Sequence, residues 1–416
     1  MTDATRTEQP ARVVTLDALR GVAVVLMVAW HASDGWLRPE HHAGPAWALL
    51  RTAGGLAAPL FLLAAGVAVG LGARRGRGLS RVIARGAELV VLGHGLRLAQ
   101  WAIDRGAIAQ PRLWPALLLG VCFVLSALGA LRGSRRARAL AVLAALFASA
   151  HVISVLLLGP SLARIVLRFD VLHCIGVSCV ACALVAYNVM RIARRTPSLA
   201  WAPAVILAVS ALVVVSLPIA AELDRAGGTL AWIARGPELR RFAPFPLVPW
   251  TGYALLGCAA ALAPIASPER RTTTVLAFFI AIAIAFASFE GGFVFRWSEL
   301  GAITGVRPIA RLAFHAGAAI AIACALSALA RSRAGEVLAI TGRASLVIYA
   351  LHLFVAYGRL GGPVARSLDP LACAALVAVL IAICIGGALL AARRSRGGER
   401  AHTVPAHVGS SANSSA

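Results

Sequence analysis

Long apolar runs, separated by short polar breaks, recur along the chain from residue 14 to residue 392. A bilayer core of about 30 Å is crossed by about 20 apolar residues in helical form. Runs of that kind lie near 14–36, 46–72, 80–103, 113–131, 138–158 and 170–190, and then near 200–220, 247–266, 272–289, 309–330, 336–357 and 370–392. The pattern predicts an all-α polytopic integral membrane protein with 10 to 12 transmembrane helices, twelve being the direct count. The third and eleventh runs are the least apolar.

Composition agrees: of 416 residues, 60% are hydrophobic and 14% charged. A net charge of +23 would suit a nucleic-acid binder, but the basic residues are all Arg and sit in short clusters between apolar runs. That distribution argues for membrane topology and against nucleic-acid binding. The clusters at 73–81, 132–138, 191–195, 269–271, 331–333 and 393–400 follow every second run. By the positive-inside rule those loops, and with them both termini, are cytoplasmic. The expected organisation is a cytoplasmic tail over 1–12, a transmembrane domain over 13–392 and a disordered cytoplasmic tail over 393–416. The first run lacks an A-x-A cleavage site and is expected to stay in the protein. Cys179 and Cys182 share a helix with no second ligand pair, and no Walker loop is present. Zinc chemistry and nucleotide hydrolysis therefore have no support, and no metal is expected.

Orientation gives the polar residues a meaning. His31, His94, Arg97, Asp170, His173, His315, Tyr349 and His352 all fall on the extracytoplasmic half of their runs, and Asp34, His41, His42 and Glu290 fall in loops on that side. Any one of them could be a satisfied interfacial residue. Together they point to a cavity or substrate path, because ionisable groups in a membrane seldom face lipid. In the first helix Arg20 and His31 are eleven residues apart, about three turns, which puts them on one face roughly 16 Å apart. Asp17 lies where it neutralises Arg20. Gly66 and Gly70 make a small-xxx-small step for close helix packing. The stretch Glu222–Pro246 is too polar to span and is expected to lie at the interface as a lid.

Several motifs carry a family resemblance. LDALRGVAVVLMVAWH (16–31) resembles the first helix of bacterial membrane acyltransferases of the O-antigen acetylase type, whose mark is Arg, ten residues, then His. APLFLLAAGVAVGL (58–71), FDVLHCIGVS (169–178), PFPLVPWTGYALLGCAAAL (244–262) and ITGRASLVIYALHLFVAYG (340–358) are closer to a sister group, the heparan-alpha-glucosaminide N-acetyltransferase catalytic domain and its bacterial relatives.

The resemblance implies a membrane acyltransferase of the bacterial inner membrane. It would move an acetyl or other acyl group from cytoplasmic acyl-CoA, typically acetyl-CoA, to an extracytoplasmic sugar or glycan. The catalytic His of the sister group corresponds to His42, while the O-antigen pattern selects His31, so both stand as candidate bases or acyl carriers, with Asp34 to orient either. Arg20, Arg343 and Asp17 are the expected CoA-side residues, since Arg suits phosphate. His173, Asp170, Trp250, Tyr349 and His352 are the expected acceptor side. The rival class is a transporter or lipid exporter without transferase chemistry, which predicts inverted repeats that the sequence does not show.

Overall fold

The computed structural model describes residues 14–133, 136–159, 165–196, 201–216, 245–263, 306–329 and 331–402. Thirteen α-helices are found among them: α1 (Val14–Trp36), α2 (Gly44–Gly55), α3 (Ala57–Arg74), α4 (Leu79–Ile103), α5 (Trp114–Leu131), α6 (Ala137–Leu157), α7 (Val171–Ala193), α8 (Trp201–Val215), α9 (Leu247–Leu262), α10 (Val306–Leu329), α11 (Arg333–Arg343), α12 (Ser345–Ala356) and α13 (Pro370–His402). The described residues form no strand, only one isolated backbone pairing between Leu37 and Leu368. Eleven of the twelve predicted spans coincide with these helices. The ninth, near 272–289, lies outside the described residues, as do residues 1–12, Glu290 and nearly all of the expected lid over Glu222–Pro246.

Among the described residues, six helical segments are long and apolar enough by themselves to cross a bilayer, and α11 with α12 makes a seventh as a pair bent by 74°. This pair is the predicted eleventh span. The break falls at Ala344, where the Ala344 N–H bonds back to the Ile340 and Thr341 carbonyls and a new helix starts. The other weakly apolar span, α4, is a single 25-residue helix carrying Arg81, Arg85, Glu88 and Arg97. α13 runs to His402, ten residues beyond its apolar stretch.

The centre of the bundle is built from small residues. Ala18 and Ala23 of α1, Leu60 and Ala64 of α3, Cys182, Ala183 and Ala186 of α7, and Ala254 and Cys258 of α9 are fully or almost fully buried in one cluster. In lipid there is little hydrophobic drive between helices, so close packing and backbone approach must hold them. The α3–α9 crossing shows this: a Cβ at Gly66 would sit 1.8 Å from the Ala254 carbonyl oxygen, and one at Gly257 would sit 2.1 Å from that of Leu63. The α1–α11 crossing uses the same device, with a Cβ at Gly342 coming 1.8 Å from the Asp17 carbonyl oxygen. That contact presses the end of α11, and with it Arg343, against the start of α1.

The outer helices α5, α6 and α13 expose Leu118, Leu125, Leu146, Leu157, Leu371 and Ile383. Apolar residues on an outer surface are what a lipid-facing layer requires. The Leu37–Leu368 pairing ties the end of α1 to the start of α13, so α13 runs back beside α1 and ends at the side where α1 begins.

A cavity joining an arginine end to a histidine end

A single cavity of about 1880 Å³ runs inside the bundle, walled mainly by α1, α3, α4, α7 and α12, with Trp250 of α9. Drug-sized ligands occupy pockets of about 300–1,000 Å³, so this one has room for two reactants. Its walls explain the charged residues of the first and third spans. One end is lined by Asp17, Arg20, Arg77, Arg81, Arg85 and Arg343, and the other by His31, Arg97, Arg105, Arg168, Asp170, Tyr349 and Tyr357. Arg20 and His31, three turns apart on α1, both reach it.

At the first end Asp17 lies 3.5 Å from Arg20 and 3.8 Å from Arg343. Glu88 is bonded to Arg85 and Arg132. Among the described residues five Arg line this end against one carboxylate on the wall, an excess of positive charge that suits a polyanion.

At the other end, the Asp170 carboxylate accepts hydrogen bonds from the Arg97 guanidinium, from the Tyr349 hydroxyl at 3.2 Å and from the Val171 N–H at 2.6 Å. It caps α7, where a carboxylate also meets the positive end of the helix dipole. The Asp170 N–H in turn donates to His173 Nδ1 at 3.2 Å. Three of the roughly four acceptor sites of the carboxylate are thus engaged within the protein. Arg97 Nε and Arg168 Nε are buried without a hydrogen-bond partner among the described residues. Burial, and then the nearby Arg97, push the Arg168 guanidinium below its usual range, partly offset by Asp170.

His31 lies against His352, Nδ1 to Nε2 at 2.8 Å. The ring planes are 3° from parallel with centroids 5.1 Å apart. Face-to-face rings could not bring two nitrogens to 2.8 Å at that centroid separation, so the imidazoles lie edge to edge in one plane, the geometry of a directed hydrogen bond. His352 Nδ1 lies 2.9 Å from the Ile348 carbonyl oxygen.

The other sequence-derived candidates separate into three groups. Asp17, Arg20, Arg343, His31, Asp170, Trp250 and Tyr349 line the cavity. His173 and His352 stand directly behind its wall, bonded to Asp170 and His31. Asp34 and His42 are outside: Asp34 accepts from the Tyr357 hydroxyl at 2.8 Å and faces a small pocket of about 250 Å³, while the His42 ring is stacked on Trp47 at 4.2 Å. Sequence reasoning missed Arg81 and Arg85 as wall residues, and Arg105, Arg168 and Tyr357 altogether. The first two had a signal in the sequence, since charges four residues apart in a span need a shared polar face.

No curated protein and no solved structure matches the chain. The family model described as heparan-alpha-glucosaminide N-acetyltransferase, catalytic, matches residues 12–110 and 116–291. The match takes in Arg20, His31, His42, Arg97, Asp170, His173 and Trp250, whereas Arg343, Tyr349 and His352 lie beyond it. Covering well over half of a membrane-spanning helical chain, and including most of the cavity wall, that match places the protein in the heparan-alpha-glucosaminide N-acetyltransferase catalytic family.

Proposed function

We propose that the protein transfers an acetyl or similar acyl group from acyl-CoA, held at the arginine end of the cavity, to a sugar or glycan acceptor at the histidine end. The observation that carries this reading is the one cavity lined both by Arg20 with Arg343 and by His31. Membership of a transferase family argues against a transporter, as does the lack of an internal repeat in the sequence. The phosphates of CoA match the Arg surplus beside Asp17. On the positive-inside rule that end is cytoplasmic, where acyl-CoA is found, and the acceptor is extracytoplasmic. The membrane would then be a bacterial inner membrane.

His31 is the proposed general base. The acceptor oxygen or nitrogen attacks the thioester carbonyl carbon, giving up its proton to His31. The new carbon–oxygen or carbon–nitrogen bond forms, the carbon–sulfur bond breaks, and the proton passes from His31 to the departing sulfur, leaving CoA as the free thiol. Positioned base catalysis of this kind supplies about 10² to 10⁴ in rate. Direct transfer is favoured over an acyl-His relay because donor and acceptor ends share one space. The lining of this end by Arg97, Arg105 and Arg168 favours an acceptor with an anionic group.

The test uses sealed vesicles of known orientation. Thiol release from acetyl-CoA supplied only to the arginine face, with acetylated glycan appearing only on the opposite face, is the expected result. Product on the donor's own face would refute transfer across the membrane, and no acceptor-dependent thiol release would refute the transferase reading.

A further inference from the structure

We infer that His352 is a positioning residue that fixes the ring tautomer of His31, so that Nε2 of His31 is the atom that takes the acceptor proton. The inference deepens the acyltransferase reading and depends on it for its kinetic part. Two hydrogen bonds in series carry it. The Ile348 carbonyl can only accept, so His352 Nδ1, 2.9 Å away, carries the proton of that ring. A neutral imidazole holds one ring proton, which leaves His352 Nε2 with a bare lone pair. That lone pair faces His31 Nδ1 at 2.8 Å, so His31 Nδ1 is the donor and carries the proton of its own ring. Nε2 of His31 is then bare, and it is the nitrogen left for the cavity that His31 lines.

The surroundings hold the chain in place. His352 is 1% exposed, and the Ile348 carbonyl lies one turn earlier on the same helix, α12. Tyr349, on that helix, is bonded to Asp170, which is salt-bridged to Arg97. The base on α1 is thus oriented from α12, and α12 is anchored to α4 and α7. When His31 Nε2 accepts the acceptor proton, the ring becomes an imidazolium whose Nδ1–H still points at the His352 lone pair. That bond is stronger to a charged donor than to a neutral one, so it favours the state in which the proton has moved. The Nε2 proton then leaves with the CoA sulfur, and both rings return to their starting tautomers.

The test has a structural and a kinetic arm. Nitrogen-15 NMR of histidine-labelled full-length protein in bilayers should show His31 and His352 both protonated at Nδ1. His352→Gln keeps an acceptor oxygen toward His31 Nδ1 and should retain transfer within about tenfold. His352→Leu removes the acceptor and should lower kcat by about 10² to 10⁴ with the KM for acyl-CoA unchanged. A His31 protonated at Nε2, or a His352→Leu protein as active as the wild type, would overturn the assignment. Wild-type protein with the expected tautomers but no acyl transfer would overturn the acyltransferase reading and leave the tautomer chain standing.

Discussion

Replacing Arg20 with Gln separates a phosphate-binding arginine from a structural one by magnitude. Arg20 is a third exposed and 3.5 Å from Asp17, three residues earlier on the same helix. An ion pair that open to solvent contributes at most about 1 kcal/mol to stability. Its loss would lower the unfolding temperature of a chain this large by only a few degrees. A charge-assisted hydrogen bond from the same guanidinium to a CoA phosphate is worth about 1.5 to 3 kcal/mol, or about ten- to 150-fold in affinity. If Arg20 holds the nucleotide, Arg20→Gln should weaken CoA binding by that factor, measured by titration calorimetry on detergent-solubilised protein, while melting changes little. Asp17→Asn should act in the opposite sense on binding, because it removes the carboxylate shared by Arg20 and Arg343 and leaves both cations to the ligand. Unchanged CoA affinity in Arg20→Gln together with a large loss of stability would refute the donor-site assignment.

Three further outcomes can be checked on the same preparation. His31→Gln should reduce acyl transfer by about 10² to 10⁴ with CoA affinity intact, whereas His42→Ala should stay within a few-fold of wild type because His42 is packed on Trp47 away from the cavity; the reverse order in a thiol-release assay would move the base to the loop. Asp170→Asn should destabilise the fold by up to about 3 kcal/mol, read by thermal unfolding, since it leaves the half-buried Arg97 without its counter-charge; a near-normal melting curve would show that Arg97 is solvated. Gly257→Ala should cost about 1 to 3 kcal/mol, because its Cβ has no room beside the Leu63 carbonyl, and a neutral effect would mean that α3 and α9 are less closely packed than described.

Much of this architecture could be read along the chain because its cause is local. An apolar run of bilayer length is helical wherever it occurs, and the helical period alone puts Arg20 and His31 on one face. Gly66 and Gly70 announced a close crossing, although not that Gly257 of α9 answers it from the other side. What escaped is set by contacts distant in sequence. His31 and His352 are 321 residues apart, and Arg97 and Asp170 are 73 apart, so no spacing rule could join them. The break at Ala344 was equally hidden: the eleventh run has the length of one span, and no Pro marks its middle. The family pattern named two histidines for one role, and only packing separates His31 in the cavity from His42 on Trp47.

That the arginine of the proposed donor end and the histidine of the proposed acceptor end stand on one uninterrupted helix makes α1 a ruler. Eleven residues at 1.5 Å each fix their separation at about 16 Å, with no hinge between them to stretch or shorten it. On the proposed function, the reach demanded of the acyl carrier is therefore written into a count of residues, and an extended pantetheine arm is of that length. One residue inserted between Arg20 and His31 would add only 1.5 Å but would turn the histidine by about 100° out of the cavity. Seven would restore the facing and add about 10.5 Å, more than such an arm could span. If the proposed transfer holds, the distance between the ends cannot change without a different carrier.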